Sequence, residues 1–245
     1  YANQYTKPFN EVTGVLTQMQ TALASAGRLL DVIDQTPETP DAPDALAPAA
    51  CEGRVDVEDV CFSYTREKPL IEHFELHVKP GQRVAIVGPT GCGKTTLLSV
   101  LLNLLPADSG EIHGFQKPSA VFQEDRLLPY LTAAKNISVA AGCTETAAEK
   151  ALLQVGFDPE DLKKNAVQLS GGMARRVSIV RAMLTSGDAV LLDEPFKGLD
   201  DLTREKVMQF VKENLKNRTT ILVTHDPRDA KDLAAAKIIE METEK

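Results

Sequence analysis

Two groups of residues have the types and spacing for phosphate chemistry. In the stretch "IVGPTGCGKTTLL", Ile86 to Leu98, an apolar run breaks into Gly88, Gly91, Gly93, Lys94, Thr95 and Thr96 and then resumes. Glycines let successive backbone N–H groups close around phosphate oxygens, and a helix that starts there offers its positive end. Lys94 is spaced to reach the β and γ phosphates of a nucleotide, and the Thr95 hydroxyl to ligate Mg2+. Farther on, "AVLLDEP" ends an apolar run in Asp193 and Glu194. One carboxylate there can hold Mg2+ through water, while its neighbour polarises the water that attacks a γ phosphate. Asp193 is assigned to metal and Glu194 to water.

Such groups need a scaffold. Arg83 to Val87 reads as a strand leading into the glycines, and Thr96 to Leu105 as the helix leaving them. Upstream, Arg54 to Phe62 and Phe74 to Val78 alternate apolar and polar residues in strand fashion, the second closed by the turn at Pro80-Gly81. Downstream, short apolar strands at Ser119–Phe122, Ala189–Leu192, Thr220–Val223 and Lys237–Met241 are separated by helical stretches. That is the pattern of a mostly parallel, helix-covered α/β sheet.

The first fifth of the chain is organised differently. From Pro8 to Asp34 the residues Val12, Val15, Leu16, Met19, Leu23, Ala26, Leu29, Leu30 and Ile33 recur at helical spacing, interrupted by Gly14 and Gly27. This is a helix of roughly 40 Å. No charge lies between Glu11 and Arg28, yet threonines and glutamines keep the segment too polar for the middle of a bilayer. It suits the cytoplasmic end of a membrane helix; the alternative is an amphipathic helix packed on a partner. "TPETPDAPDALAPAA", Thr36 to Ala50, is proline-rich and reads as an extended tether. The expected layout is a helical extension at 1–35, a linker at 36–52 and a catalytic domain at 53–241.

Composition narrows the function classes. The 245 residues are 43% apolar and 25% charged, with a net charge of -8. An acidic chain is poorly suited to a sequence-independent grip on nucleic acid. Cys51, Cys61, Cys92 and Cys143 show no Cys-x-x-Cys spacing, so neither a zinc site nor a disulfide framework is expected. No run of about 18 apolar residues occurs and no signal peptide opens the chain, so no membrane span is expected within it.

Further motifs carry a family resemblance. "QLSGGM", Gln168 to Met173, is similar to the signature sequence of ATP-binding cassette (ABC) proteins, and it lies between the glycine loop and the acidic strand, as that family places it. Gln123 after "AVF" resembles the family's Q-loop glutamine, His225 in "LVTHD" its switch histidine, and Tyr64 in "VCFSY" the aromatic that stacks on adenine. "KGLD", Lys197 to Asp200, resembles the loop between subunits. The likeness runs from Arg54 to Met241. It implies a P-loop NTPase of ABC type, with a mostly parallel core, an antiparallel β subdomain and a helical subdomain at about 124–183. It implies ATP and Mg2+ as cofactors, with Gln123 contributing to metal and catalysis and His225 contacting the γ phosphate. Two cassettes would pair head to tail, as a homodimer or heterodimer, so that Ser170, Gly171 and Gly172 complete the opposite ATP site. Read alone, those three residues could merely cap the helix Ala174–Leu184. Met173 departs from the commoner glutamine without removing the groups that face phosphate.

The resemblance divides near the glycine loop. Residues 1–96 look like an ABC exporter whose last membrane helix continues into its nucleotide domain. The interval between Lys94 and Gln123 is too short for that pattern, however, and residues 97–241 resemble importer ATPases for nitrate- or sulfonate-like solutes. The chain therefore reads as a recombinant of two cassette ATPases. Its leading function is the ATPase of an ABC transporter, acting with a membrane permease at the cytoplasmic face of the membrane and without nucleic acid. A soluble ABC ATPase of DNA repair or translation is a second class, and an uncoupled ATP-binding module a third. The lack of an Asn-Lys-x-Asp pattern argues against guanine specificity.

Overall fold

A computed structural model describes residues 2–34, 53–65 and 68–241. The chain divides into two compact units, Tyr1–Pro48 and Ala49–Lys245. The tether and Cys51 lie outside the described residues.

In the first unit α1 (Ala2–Ile33) is one continuous helix. It begins six residues earlier than the periodicity suggests, so Pro8 falls inside it rather than at its start. Val12, Leu16, Met19, Leu23, Leu30 and Ile33 are each more than half exposed. The hydroxyls of Thr17, Thr21 and Ser25 donate to the carbonyls four residues back, at 2.9 Å each. These polar groups are thus satisfied within the helix. No helix among the described residues is long and apolar enough to cross a membrane.

The second unit holds two sheets. β1 (Val55–Thr65) and β2 (Lys68–Val78) pair antiparallel, and β4 (Ser109–His113) lies on the other side of β1. The sequence conceals β4, because "SGEIH" has one apolar residue and no alternation to detect. β1 crosses an irregularity at Asp59, whose φ is 51°, which carries it past the expected end at Phe62. The parallel sheet has the order β5-β6-β7-β3-β8, with β3 (Arg83–Val87), β5 (Pro118–Val121), β6 (Ala189–Asp193), β7 (Thr219–Thr224) and β8 (Lys237–Glu240). Each falls within about two residues of its expected position.

Both faces of this sheet are covered, which is why its strands read as unbroken apolar runs. Ala85, Val190, Leu192 and Leu222 face one core, shared with α3 (Ala133–Ala141), α4 (Glu145–Gln154), α5 (Gly171–Leu184) and α6 (Asp201–Leu215). Val84, Ile86, Leu191, Ile221 and Val223 face a second core, closed by the antiparallel sheet and α2 (Lys94–Leu101). Thr132, Thr144, Ser170 and Asp200 cap α3, α4, α5 and α6, each side chain accepting a backbone N–H three residues on. Asp226 caps α7 (Pro227–Asp232) by accepting the Arg228 N–H, two residues on.

Leu222 is fully buried in the central strand β7. Leu222→Ala is expected to lower the unfolding free energy by about 2–5 kcal/mol, measured as a shift of the urea midpoint.

Candidate active site

Because the sheet is parallel and in register, its strand ends converge on one edge. β3 leads into the glycine loop, β5 into Gln123, β6 into Asp193 and Glu194, and β7 into His225. Open parallel sheets bind ligands just beyond the C-terminal ends of their strands. A cavity of about 410 Å³ opens there, lined among others by Tyr64, Lys94, Thr95, Gln123, Asp193 and Glu194.

The glycine loop turns because Gly91 and Gly93 adopt φ of 91° and 93°, a left-handed backbone that side chains disfavour. α2 then begins at Lys94, aiming its N-terminus into the cavity. Gly88 carries a packing constraint as well. A Cβ there would lie 2.3 Å from the carbonyl oxygen of Met241, so the segment leaving β8 requires glycine at this position. Lys94 is buried, and its ammonium donates to the carbonyls of Gly88 at 2.7 Å and Pro89 at 2.6 Å. Thr96, beside it, has its hydroxyl 3.1 Å from that of Tyr64. Tyr64 is exposed and packs edge-on against Phe62, leaving its ring available at the cavity mouth.

Asp193 is 2% exposed. Burial raises its carboxyl pKa above the ordinary 3.8; a hydrogen bond from Thr95 opposes this, Glu194 adds to it, and Arg175 and Lys94 offset it. Its Oδ1 is buried without a hydrogen-bond partner. Next in sequence, Glu194 has φ of 47°, a conformation costing about 1–2 kcal/mol for a side-chain-bearing residue. Its backbone N–H is held by the carbonyl of Val223 at 2.9 Å. Oε2 of Glu194 accepts from Nδ1 of His225 at 2.6 Å. Glu194 and His225 thus form a hydrogen-bonded pair.

Could this edge hold a hard cation? An orphaned carboxylate oxygen beside a hydroxyl and an amide fits Mg2+, which takes few protein ligands and completes its shell with water and phosphate. No group of three or more His, Cys, Asp or Glu side chains among the described residues could hold a metal. That argues against a cage built wholly from such side chains and leaves the one-carboxylate arrangement intact.

Ser170, Gly171 and Gly172 do not line the cavity. Ser170 caps α5 through Met173 N–H at 3.3 Å. Their helix nevertheless reaches the site through arginines that sequence reasoning missed. Arg175, 8% exposed, donates to the carbonyls of Phe122, at 2.6 Å, and Gln123. Arg181 donates to those of Asp125 and Arg126 at 3.0 and 2.9 Å. The backbone bearing Gln123 is therefore clamped to α5. A charge in a mixed helix reads as a solvated face, so only burial identifies this clamp.

Comparison with known proteins places the chain. Residues 71–197 match the family model described as "ABC transporter". The chain is 38% identical over 202 residues to "Aliphatic sulfonates import ATP-binding protein SsuB 2" of Paraburkholderia xenovorans, covering 78% of this chain and 81% of that protein. Among solved structures, a dimeric post-hydrolysis state of the ATP-binding cassette MJ0796, bound to ADP and Pi, superposes with a TM-score of 0.69 at 27% identity, covering 78% of this chain and 97% of that one. A bacterial Atm1-family ABC exporter with ATP bound gives a TM-score of 0.72 at 25% identity, over 99% of this chain and 47% of the exporter. The fold is thus that of an ABC cassette P-loop NTPase. The chain belongs to the ABC transporter family, with both importer-type and exporter-type likeness.

The raised Asp193 pKa has a stability consequence in the absence of divalent cation. Above its folded pKa the ionised carboxylate destabilises the fold, whereas below 3.8 it is protonated in both folded and unfolded states and that cost vanishes. Asp193→Asn should therefore raise the thermal midpoint at pH 7–8, with the gain shrinking towards pH 4, in melts recorded with a chelator.

Proposed function

We propose that this chain powers solute movement across a membrane by binding and hydrolysing ATP beside a partner permease. It is an ATPase of the ABC transporter family. The observation that carries the mechanism is the convergence, on one cavity, of Lys94, an orphaned buried Asp193 and Glu194, the last hydrogen-bonded to His225.

In this reading the amides of Gly88, Gly91 and Gly93 and the start of α2 hold phosphate oxygens, and Thr96 lies with them on the first turn. Lys94 exchanges its carbonyl partners for the β and γ phosphates. Thr95, Asp193 and Gln123 hold Mg2+, which when bound offsets the charge of the transferring phosphate. Glu194 draws a proton from the attacking water, and His225, whose Nδ1–H is engaged by Glu194, directs Nε2 towards the γ phosphate. Tyr64 stacks on adenine. Arg175, by holding the Gln123 carbonyl, sets where the glutamine enters the site.

Ser170 and Gly171, exposed at the start of α5, and the half-buried Gly172 beside them face a second cassette in a head-to-tail homodimer or heterodimer. The dimeric relative supports pairing, and a partner's ATP would explain why these residues stand outside this chain's own cavity. We assign residues 1–35 to a helical extension, 36–52 to a linker and 53–241 to the cassette, with 124–183 as the helical subdomain that meets the permease. The assembly lies at the cytoplasmic face of the membrane. Exporter-type likeness over nearly the whole chain supports α1 as the end of a membrane helix. The importer-type match supports an import-ATPase origin for residues 97–241, and with the exporter-type likeness it supports a recombinant chain joined near the glycine loop.

Steady-state phosphate release tests the site. Lys94→Ala should reduce turnover by roughly 10²-fold or more, and coexpression with the cognate permease should recover a complex in detergent. Wild-type turnover by Lys94→Ala would refute the site, and turnover without any permease association would refute the transport role.

A further inference from the structure

Glu194 and His225 sit on separate loops, one after β6 and one after β7, and their side chains meet at 2.6 Å. What holds the two loops at that separation lies behind the site. Glu194 begins a tight turn in which Lys197 N–H donates to its carbonyl at 3.2 Å, and the turn's Phe196 is buried at 4% exposure. The guanidinium of Arg204 lies 5.6 Å from the Phe196 ring centre, within cation–π range.

The same guanidinium reaches the other loop. One Arg204 nitrogen donates to Asp229 at 2.6 Å and to Asp232 at 2.8 Å, both on α7. The second oxygen of Asp229 accepts the Thr224 hydroxyl at 2.8 Å, and that hydroxyl accepts the Asp226 N–H at 3.0 Å. Thr224 and Asp226 are the residues on either side of His225. Asp229 and Thr224 are buried, so the bonds that Asp229 makes are shielded from water, while Asp232 is partly exposed.

We infer that Arg204 is a positioning residue that braces the Phe196 turn and the Thr224–Asp226 turn against each other, and so sets the Glu194–His225 distance. The inference rests on the proposal that Glu194 and His225 act in hydrolysis. It has a mechanical corollary. Arg204 stands in the first turn of α6, its N–H bonded to the Asp200 carbonyl at 2.8 Å. The loop Lys197–Asp200 is therefore directly coupled to the brace. A second cassette pressing on that loop would shift Arg204, and with it the hydrolytic pair, without touching either residue.

The test compares Arg204→Met, Glu194→Gln and His225→Ala, alone and with the Arg204→Met/His225→Ala double variant, by turnover number and by ATP affinity. Arg204→Met should lower turnover roughly 10- to 100-fold, as misplacement of catalytic groups does, with ATP affinity within about twofold of wild type. In the His225→Ala background the same change should cost less than about twofold, since groups acting as a unit are not additive. Arg204→Lys, which keeps the charge and loses the planar fork, should recover part of the turnover. Should Arg204→Met fail to fold, Asp229→Asn cuts the same chain at similar volume and carries the same expectation. Turnover within about twofold of wild type, or an equal loss with and without His225, would overturn the role of Arg204. Wild-type turnover by Glu194→Gln would instead overturn the reading on which it rests.

Discussion

The arrangement depends on parallel, in-register pairing of β6, β7 and β3. Each of these strands is buried on both faces, so a slip of one residue would exchange the side chains between the two cores. Register is thereby enforced over the sheet, and the strand ends cannot drift relative to one another. Along the sheet edge the order is Gln123, Asp193 with Glu194, His225, then the glycine loop. Residues more than a hundred positions apart are brought to a common cavity by apolar packing that takes no part in chemistry.

Placing charge at this edge has a cost that neighbouring groups offset unequally. Lys94 is solvated by carbonyls of its own loop. Arg175 and Arg181 spend their donors on the carbonyls of the Gln123 segment. Among the described residues that line the cavity, Asp193 alone retains a buried oxygen without a hydrogen-bond partner. A site that stabilises every cation but leaves one anionic oxygen unsatisfied is predisposed to take up a positive ion. Glu194 adds backbone strain, which persists because Val223, the Phe196 turn and His225 together over-determine its position.

The strands of the parallel sheet were legible because double burial writes continuous apolar runs, and the glycine loop because its backbone chemistry restricts residue choice. Asp193 and Glu194 were legible from their place at a strand end. β4 was not, having a single apolar residue, and neither was the start of α1, where Pro8 imitates a helix N-terminus. The close packing at Gly88 and the contacts of the arginines were hidden for a different reason. Whether a glycine meets a carbonyl from Met241, or a guanidinium is buried beneath a loop fifty residues away, is a tertiary fact with no local periodicity. Ser170 to Gly172 illustrate the converse: their local capping role was evident, while their distance from the cavity emerges only in three dimensions.

The central claim is a composite site, in which two cassettes sandwich ATP and Glu194 is needed to release it. Sedimentation of the Glu194→Gln chain with MgATP, coupled to measurement of retained nucleotide, addresses that claim directly. The account predicts a shift from one chain to two on adding ATP, with two unhydrolysed ATP molecules per dimer, and no shift with ADP. A chain that remains monomeric while saturated with ATP, or that hydrolyses it at the wild-type rate, would contradict it.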